Sequence, residues 1–352
     1  MQKVIAKIYL QHLYHNATLF KSYTKTRVCG VVKADAYGHG VEQTVLKLQS
    51  VCDMFAVSLL DEAIAIKVPA CGKDVLILTP PLTLNDCIKA LSYDFTVTVA
   101  DMRTAKLTVQ AVNYLNKSAH VHLKVNTGMN RYGMNLQTLG KVCKFLKKYP
   151  QIKVEGLYSH LYKTDFATCE KQRLQFLNMQ KVVRKYFSSF ISHLSATYGA
   201  MLGKDFAFDM VRVGIGLYGY FPDGMQDIPE SVKNQFPLKK GMQIFAPITA
   251  TQTYKQGGIG YGTPKCYAKR LCVVRLGYAD GFLRSYQNGL EDSNQQVNNL
   301  CMDAHLIDAK LKVGDWICLL DDAQKTAKLT STISYEVLCA VSKRCERWYV
   351  DE

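Results

Sequence analysis

The chain has 352 residues, 48% of them apolar and 21% charged, with a formal net charge of +15 from 44 Lys and Arg against 29 Asp and Glu. These are globular proportions with material for a large core, and no uninterrupted apolar run reaches the roughly 18 residues of a membrane span. The basic residues are spread along segments such as KFLKKY and KVVRKY rather than gathered into long runs, which argues for general surface charge and against a nucleic-acid partner.

The opening MQKVIAKIYLQHLYHNATLF mixes polar residues through its apolar positions. It lacks the apolar block and small-residue cleavage site of a signal peptide, so a cytoplasmic protein without a membrane partner is expected. Short apolar, β-branched segments then recur at 29–33, 54–58, 75–79, 95–99, 121–125, 154–160, 191–196 and 211–219. Amphipathic stretches of helical length separate most of them. DMRTAKLTVQAVNYLNK opens on Asp101 as an N-cap, and NLQTLGKVCKFLKKY is stopped by Pro150. Continuous apolar strands are those covered on both faces by crossover helices. Eight of them alternating with helices specify an α/β fold, a (β/α)8 TIM-like barrel over residues 1–232. An open doubly wound sheet is disfavoured because no Gly-x-Gly-x-x-Gly turn opens an early helix.

Beyond the polar stretch DGMQDIPESVKNQ the character changes. FAPITATQTY, RLCVVRLGYA, VGDWICLLD and CERWYVDE are strand-like and separated by turn residues, with one helix expected near Tyr335-Glu336-Val337-Leu338. Residues 233–352 are therefore read as a β-rich C-terminal domain, with the first few residues of the chain as candidates to pack with it. The twelve cysteines are scattered singly, with no Cys-x-x-Cys pair. They read as reduced, buried thiols, and no metal site is expected.

The first barrel strand runs into Val31-Val32-Lys33-Ala34-Asp35-Ala36-Tyr37-Gly38-His39-Gly40. A lysine at the C-terminal lip of a barrel strand stands where such barrels place catalytic groups, and a partly desolvated amine can attack a carbonyl. Alone, it would be an ordinary surface lysine. The ten residues around it, however, closely resemble the pyridoxal-phosphate attachment signature of the alanine racemases. Lys124-Val-Asn-Thr-Gly-Met-Asn-Arg131-Tyr-Gly-Met, Gly156-Leu-Tyr-Ser-His160 and Arg212-Val-Gly-Ile-Gly-Leu-Tyr-Gly219 resemble the next three motifs of that family. Gly260-Tyr261-Gly262, Gly277-Tyr-Ala-Asp-Gly-Phe-Leu-Arg284, Cys301-Met302-Asp303 and Ser334-Tyr335-Glu336-Val337 follow in the family's order. Such fold-type III enzymes join an eight-stranded barrel to a β domain, in agreement with the layout above.

The resemblance implies a homodimeric isomerase that interconverts L- and D-alanine by a two-base mechanism and supplies D-alanine for peptidoglycan. It implies that Lys33 carries pyridoxal 5'-phosphate and serves as one base, with Tyr261 of the partner subunit as the other. Tyr37, Thr197, Tyr335 and the N–H groups of Gly214 and Ile215 would hold the phosphate. His160 would pack on the pyridine ring, and Arg212 would face the pyridine nitrogen. A guanidinium keeps its proton, so that nitrogen would stay unprotonated and favour return of a proton to Cα over transamination. Arg131 and the Met302 N–H would meet the substrate carboxylate. Lys124, which is carbamylated in several members, would orient Arg131, Tyr278 and Tyr335 would narrow the entrance, and Asp303 would support the site. Ala196-Thr197, Val213 and Asn126 stand where the family usually has Asn-Ser, Pro and Asp, and the stretch Asn294 to Leu300 lacks a usual glycine. The rival readings are a broader racemase for serine or lysine, and a non-catalytic protein of cofactor homeostasis. Residues 233–352 and Tyr261 argue against the latter. A fold-type III decarboxylase would place a carboxylate where Arg212 stands.

Overall fold

The computed structural model describes residues 3–224, 229–253, 257–261, 270–285, 295–296 and 300–352. Gly262, Asn294, residues 297–299 and part of the polar stretch before 233 lie outside the described residues. The chain divides into two compact units. One comprises Leu13–Ala36 and Val41–Lys239, the other Met1–His12, Tyr37–Gly40 and Lys240–Glu352.

After β1 (Ile5–Tyr9), which belongs to the second of these, come the eight strands of the barrel. They are β2 (Arg27–Val31), β3 (Met54–Val57), β4 (Asp74–Ile77), β5 (Thr96–Val99), β6 (Ala119–Lys124), β7 (Ile152–Tyr158), β8 (Ile191–His193) and β9 (Met210–Val213). All pair in parallel in the order β8-β7-β6-β5-β4-β3-β2-β9. The two ends of that path meet, because Arg212 N donates to Ser195 O at 2.9 Å and Asp209 N to Ser192 O at 3.0 Å. Every residue of β3, β5 and β9 is buried, as expected of strands covered by side chains within the barrel and by helices outside. Each of the eight apolar segments of the sequence overlaps one of these strands, the last of them running on into a 3-10 turn at Ile215–Tyr218.

The helices begin where side chains can satisfy free N–H groups. Thr83, Asp101, Asn135 and Asp165 each accept from the backbone N–H three residues on. The helix Leu136–Leu146 ends one turn before Pro150, since proline disfavours helical backbone in the residue before it and the last turn has already loosened.

The other unit is a seven-stranded sheet of β10 (Met242–Thr253), β11 (Arg270–Val274), β12 (Gln295–Gln296), β13 (His305–Asp308), β14 (Trp316–Leu320), β15 (Glu346–Val350) and β1. Its path is β12-β13-β11-β10-β1-β15, and β14 pairs with the same long β10. Among the described residues only the β1–β15 pairing of this sheet is parallel. The helix expected near Tyr335 is Ser334–Cys339, and a second short one, Ala323–Leu329, is capped by Asp322. At seven residues it is too short to leave a clear periodicity.

Candidate functional site

Several of the candidate side chains stand at or just beyond the C-terminal ends of barrel strands, among them Lys33, Lys124, His160 and Arg212. Lys33 lies two residues beyond β2 and opens a turn in which Ala34, Asp35, Ala36 and Tyr37 all have φ between 52° and 53°. Left-handed backbone costs about 1–2 kcal/mol per non-glycine residue, so this turn must be held from outside. Glu62 does much of that. Its Oε1 accepts from Ala34 N at 2.7 Å, and its Oε2 accepts from Ser58 N and Leu59 N at 2.8 and 2.9 Å. Asp35 Oδ1 accepts from Val41 N at 2.8 Å.

Four basic side chains act on His160, which follows β7. Burial and then Arg212, Lys124, Arg131 and Lys33 hold its pKa well below the ordinary imidazole value. It therefore stays neutral, and the positive potential around it suits an anionic ligand. Lys124 closes β6 and is buried, its Nζ 4.6 Å from the centroid of the Tyr158 ring. Burial, Arg212 and Arg131 push its pKa well below the ordinary lysine value. Arg131 stands on a loop pinned by Asn126 N donating to Met134 O at 2.9 Å and Met134 N to Lys124 O at 3.0 Å. Asn126 Oδ1 accepts from Gly128 N and Asn130 N at 3.0 and 3.1 Å. It thus organises the loop through an acceptor that an aspartate would also offer.

Arg212, in β9, is buried and donates through both terminal nitrogens. Nη1 reaches His193 O at 2.8 Å and His193 Nδ1 at 3.0 Å. Nη2 reaches Ser159 O at 2.6 Å, Leu194 O at 3.1 Å and His160 Nδ1 at 3.3 Å. None of these bonds uses Nε. Beyond β8 and β9, Thr197 Oγ1 accepts from Gly214 N at 3.3 Å and Gly216 N at 3.2 Å. Thr197 and the Gly214–Ile215 turn thus form one hydrogen-bonded corner.

The remaining candidates belong to the other unit. Tyr37 and Tyr335 meet with ring centroids 5.9 Å apart. Arg347 donates to Gly38 O at 3.2 and 3.3 Å, fixing the chain just after Tyr37. Tyr278 and Met302 are joined through the backbone, with Tyr278 N donating to Cys301 O and Ala279 N to Met302 O. Asp303 receives Arg344 Nη2 at 2.7 Å, and Arg344 Nε lies 3.4 Å from the buried Asp280. Tyr261 stands apart from these contacts at 93% exposure.

Sequence reading passed over Tyr158, His193 and His122. Tyr158 stacks on His193 with centroids 4.9 Å apart and 5° between planes, and His193 Nε2 lies 2.9 Å from His122 Nδ1. His122 stands two residues before Lys124 in β6, a spacing that puts both side chains on one face of the strand, but nothing in the sequence ties it to His193.

Residues 8–222 match the family model for the alanine racemase N-terminal domain, and residues 241–349 match that for the C-terminal domain. The chain belongs to the alanine racemase family. It is 31% identical to the alanine racemase of Clostridium kluyveri, covering 98% of this chain and 93% of the relative. It is 30% identical to alanine racemase 2 of Oceanobacillus iheyensis, covering 98% and 92%. Among solved structures, the alanine racemase of Clostridium difficile 630 superposes with a TM-score of 0.91 at 28% identity, covering 99% of this chain and 96% of that one. As a family member the chain is an isomerase that racemises alanine, and its barrel and separate mixed sheet match alanine racemase structures. Among the described residues no helix is long and apolar enough to cross a membrane.

Proposed function

We propose that this alanine racemase works with pyridoxal 5'-phosphate on Lys33, in a cytoplasmic homodimer whose sites each receive Tyr261 from the partner subunit, and that its D-alanine serves peptidoglycan. The observation that carries the reading is Arg212. Its Nη groups are occupied by carbonyls and imidazoles while its bonds leave Nε unused. A pyridine nitrogen there would meet a donor that does not give up its proton. The residues fit the cofactor in two further respects. The Thr197–Gly214–Ile215 corner would give a phosphate the Thr197 hydroxyl and the Ile215 N–H, with the Gly214 N–H, which donates to Thr197 Oγ1 at 3.3 Å, shared between the two, aided by the Tyr37 and Tyr335 hydroxyls. The neutral His160 suits packing against an aromatic ring.

Bound there, the cofactor would supply an electron sink for the substrate's Cα–H bond. The chain's own groups do the rest. Lys33 Nζ holds or delivers the Cα proton on one face, and Tyr261 Oη does so on the other. Among the described residues Tyr261 is 93% exposed, as suits a residue that acts in a second copy. Arg131 and the Met302 N–H hold the carboxylate. The depressed pKa of Lys124 favours its neutral amine, the form that can take up carbon dioxide as a carbamate and so orient Arg131. Tyr278 and Asp303, the latter through Arg344, brace the side on which substrate enters. The buried thiols Cys29, Cys52 and Cys87 suit a reducing compartment.

The test is a racemisation assay over a panel of amino acids, with mass analysis of the borohydride-reduced protein. D-alanine should be the chief product and the reduced adduct should sit on Lys33. Absence of the adduct, or equal turnover of serine and lysine, would overturn the reading.

A further inference from the structure

Within the barrel, the polarity of a row of hydrogen bonds can be fixed from one end. A guanidinium only donates, so His193 Nδ1, 3.0 Å from Arg212 Nη1, must accept. A neutral imidazole that accepts on one nitrogen donates from the other. His193 Nε2 therefore carries the hydrogen and donates to His122 Nδ1 at 2.9 Å. By the same logic His122 carries its hydrogen on Nε2, a buried atom with no partner among the described residues. A proton added to either ring would set donor against donor and break the row.

We infer that His193 and His122 are positioning residues for Arg212, a one-way row of donors that holds the guanidinium with its Nη groups turned into the barrel and Nε left for the ligand. The inference rests on the proposal that Arg212 faces the pyridine nitrogen. Three observations support it. Gly156 is cleared for this purpose, since a Cβ there would overlap the His122 ring. Tyr158 clamps His193 by flat stacking and is itself fixed by Thr98, whose hydroxyl lies 2.8 Å from its own. The unpartnered N–H of His122 is a cost that an apolar ring of the same size would avoid, so packing alone does not explain an imidazole at that position. Burial and then Arg212 lower the His122 pKa to about 3 and take that of His193 well below the ordinary value, which keeps both rings neutral as the row requires.

Two-bond 1H–15N spectra of the full-length protein labelled with 15N-histidine test the row directly. His122 and His193 should both be neutral with the hydrogen on Nε2 across the neutral pH range. A protonated ring, or a hydrogen on Nδ1 of either, would overturn the inference. The positional role is tested with 15N-labelled pyridoxal phosphate. His193→Phe removes the acceptor, whereas His193→Asn keeps one near Nδ1. His193→Phe should move the pyridine 15N signal and lower kcat by about tenfold to a hundredfold, the range set by one lost bond to a charged group, with KM nearly unchanged. His193→Asn should restore most of both. Equal behaviour of the two variants, or an unmoved pyridine signal in His193→Phe, would overturn it. Cofactor on Lys33 with the wrong tautomers would sink this inference alone. Correct tautomers without cofactor on Lys33 would sink the proposed function and the role given to Arg212, leaving only the row of bonds.

Discussion

Gly156→Ala should be among the costliest single-methyl additions in the barrel. The new Cβ would overlap the His122 ring, and that ring is fully buried and bonded to His193. Overpacking of this kind costs about 1–3 kcal/mol, and losing the His193–His122 bond adds about 0.5–1.5 kcal/mol, for a total of about 1.5–4.5 kcal/mol. The cost should vanish when the ring is removed first, so Gly156→Ala placed on a His122→Ala background should change stability by less than about 1 kcal/mol, giving a large coupling in a double-mutant cycle. The assay is urea unfolding followed by circular dichroism, comparing midpoints at unchanged slope. Equal destabilisation in both backgrounds would refute the reasoning, because the clash would then lie elsewhere.

Lys33→Ala should leave a protein of normal fold that no longer yields the reduced cofactor adduct; an adduct of undiminished yield would count against the assignment. Tyr261→Phe should slow proton removal from one enantiomer of alanine far more than from the other, measured as solvent-deuterium exchange in each direction. Equal, small effects would reject a one-face role. Acid should destabilise the barrel in a window set by its imidazoles. The His122 pKa is depressed to about 3 in the folded protein, against about 6.5 when unfolded. The unfolded chain therefore binds the extra proton, and stability falls as pH drops through that interval, by up to about 1.4 kcal/mol per pH unit for each such histidine. His122→Asn should flatten this slope by about one proton in urea midpoints taken across the window; an unchanged slope would remove His122 from the account. Glu62→Ala should lower the rate of cofactor attachment to Lys33 in stopped-flow absorbance, since Ala34, Ser58 and Leu59 lose their shared acceptor. Unchanged kinetics would show that the turn is held without it.

The barrel strands were legible because burial on both faces leaves continuous apolar runs, as in Met54–Val57 and Met210–Val213. Asp101 was legible because capping is local chemistry. The candidate site residues were picked out through ordered motifs, and of those in the barrel Lys33, Lys124, Arg131 and Arg212 all act electrostatically on His160. The left-handed run Ala34–Tyr37 was not legible, since alanines carry no signal for positive φ and the turn is held by Glu62 from outside, with Asp35 tying it to Val41. The His193–His122 row was hidden for a related reason. Each histidine is unremarked in its own strand, and only the closing of the sheet brings β6 and β8 within reach of Arg212 on β9.

The position of β1 bears on how the chain is made. β1 lies between β10 and β15, with Ile5 opposite Phe245 on one side and Glu346 on the other. During vectorial synthesis at about 5–20 residues per second, its second neighbour leaves the ribosome on the order of tens of seconds after it does. Throughout that delay the barrel segments can condense locally, while a strand bearing Ile5 and Ile8 waits with unpaired edges. A nascent chain interrupted before β15 would keep one of those edges open, which ties protection of β1 to the synthesis of a strand more than 300 residues away.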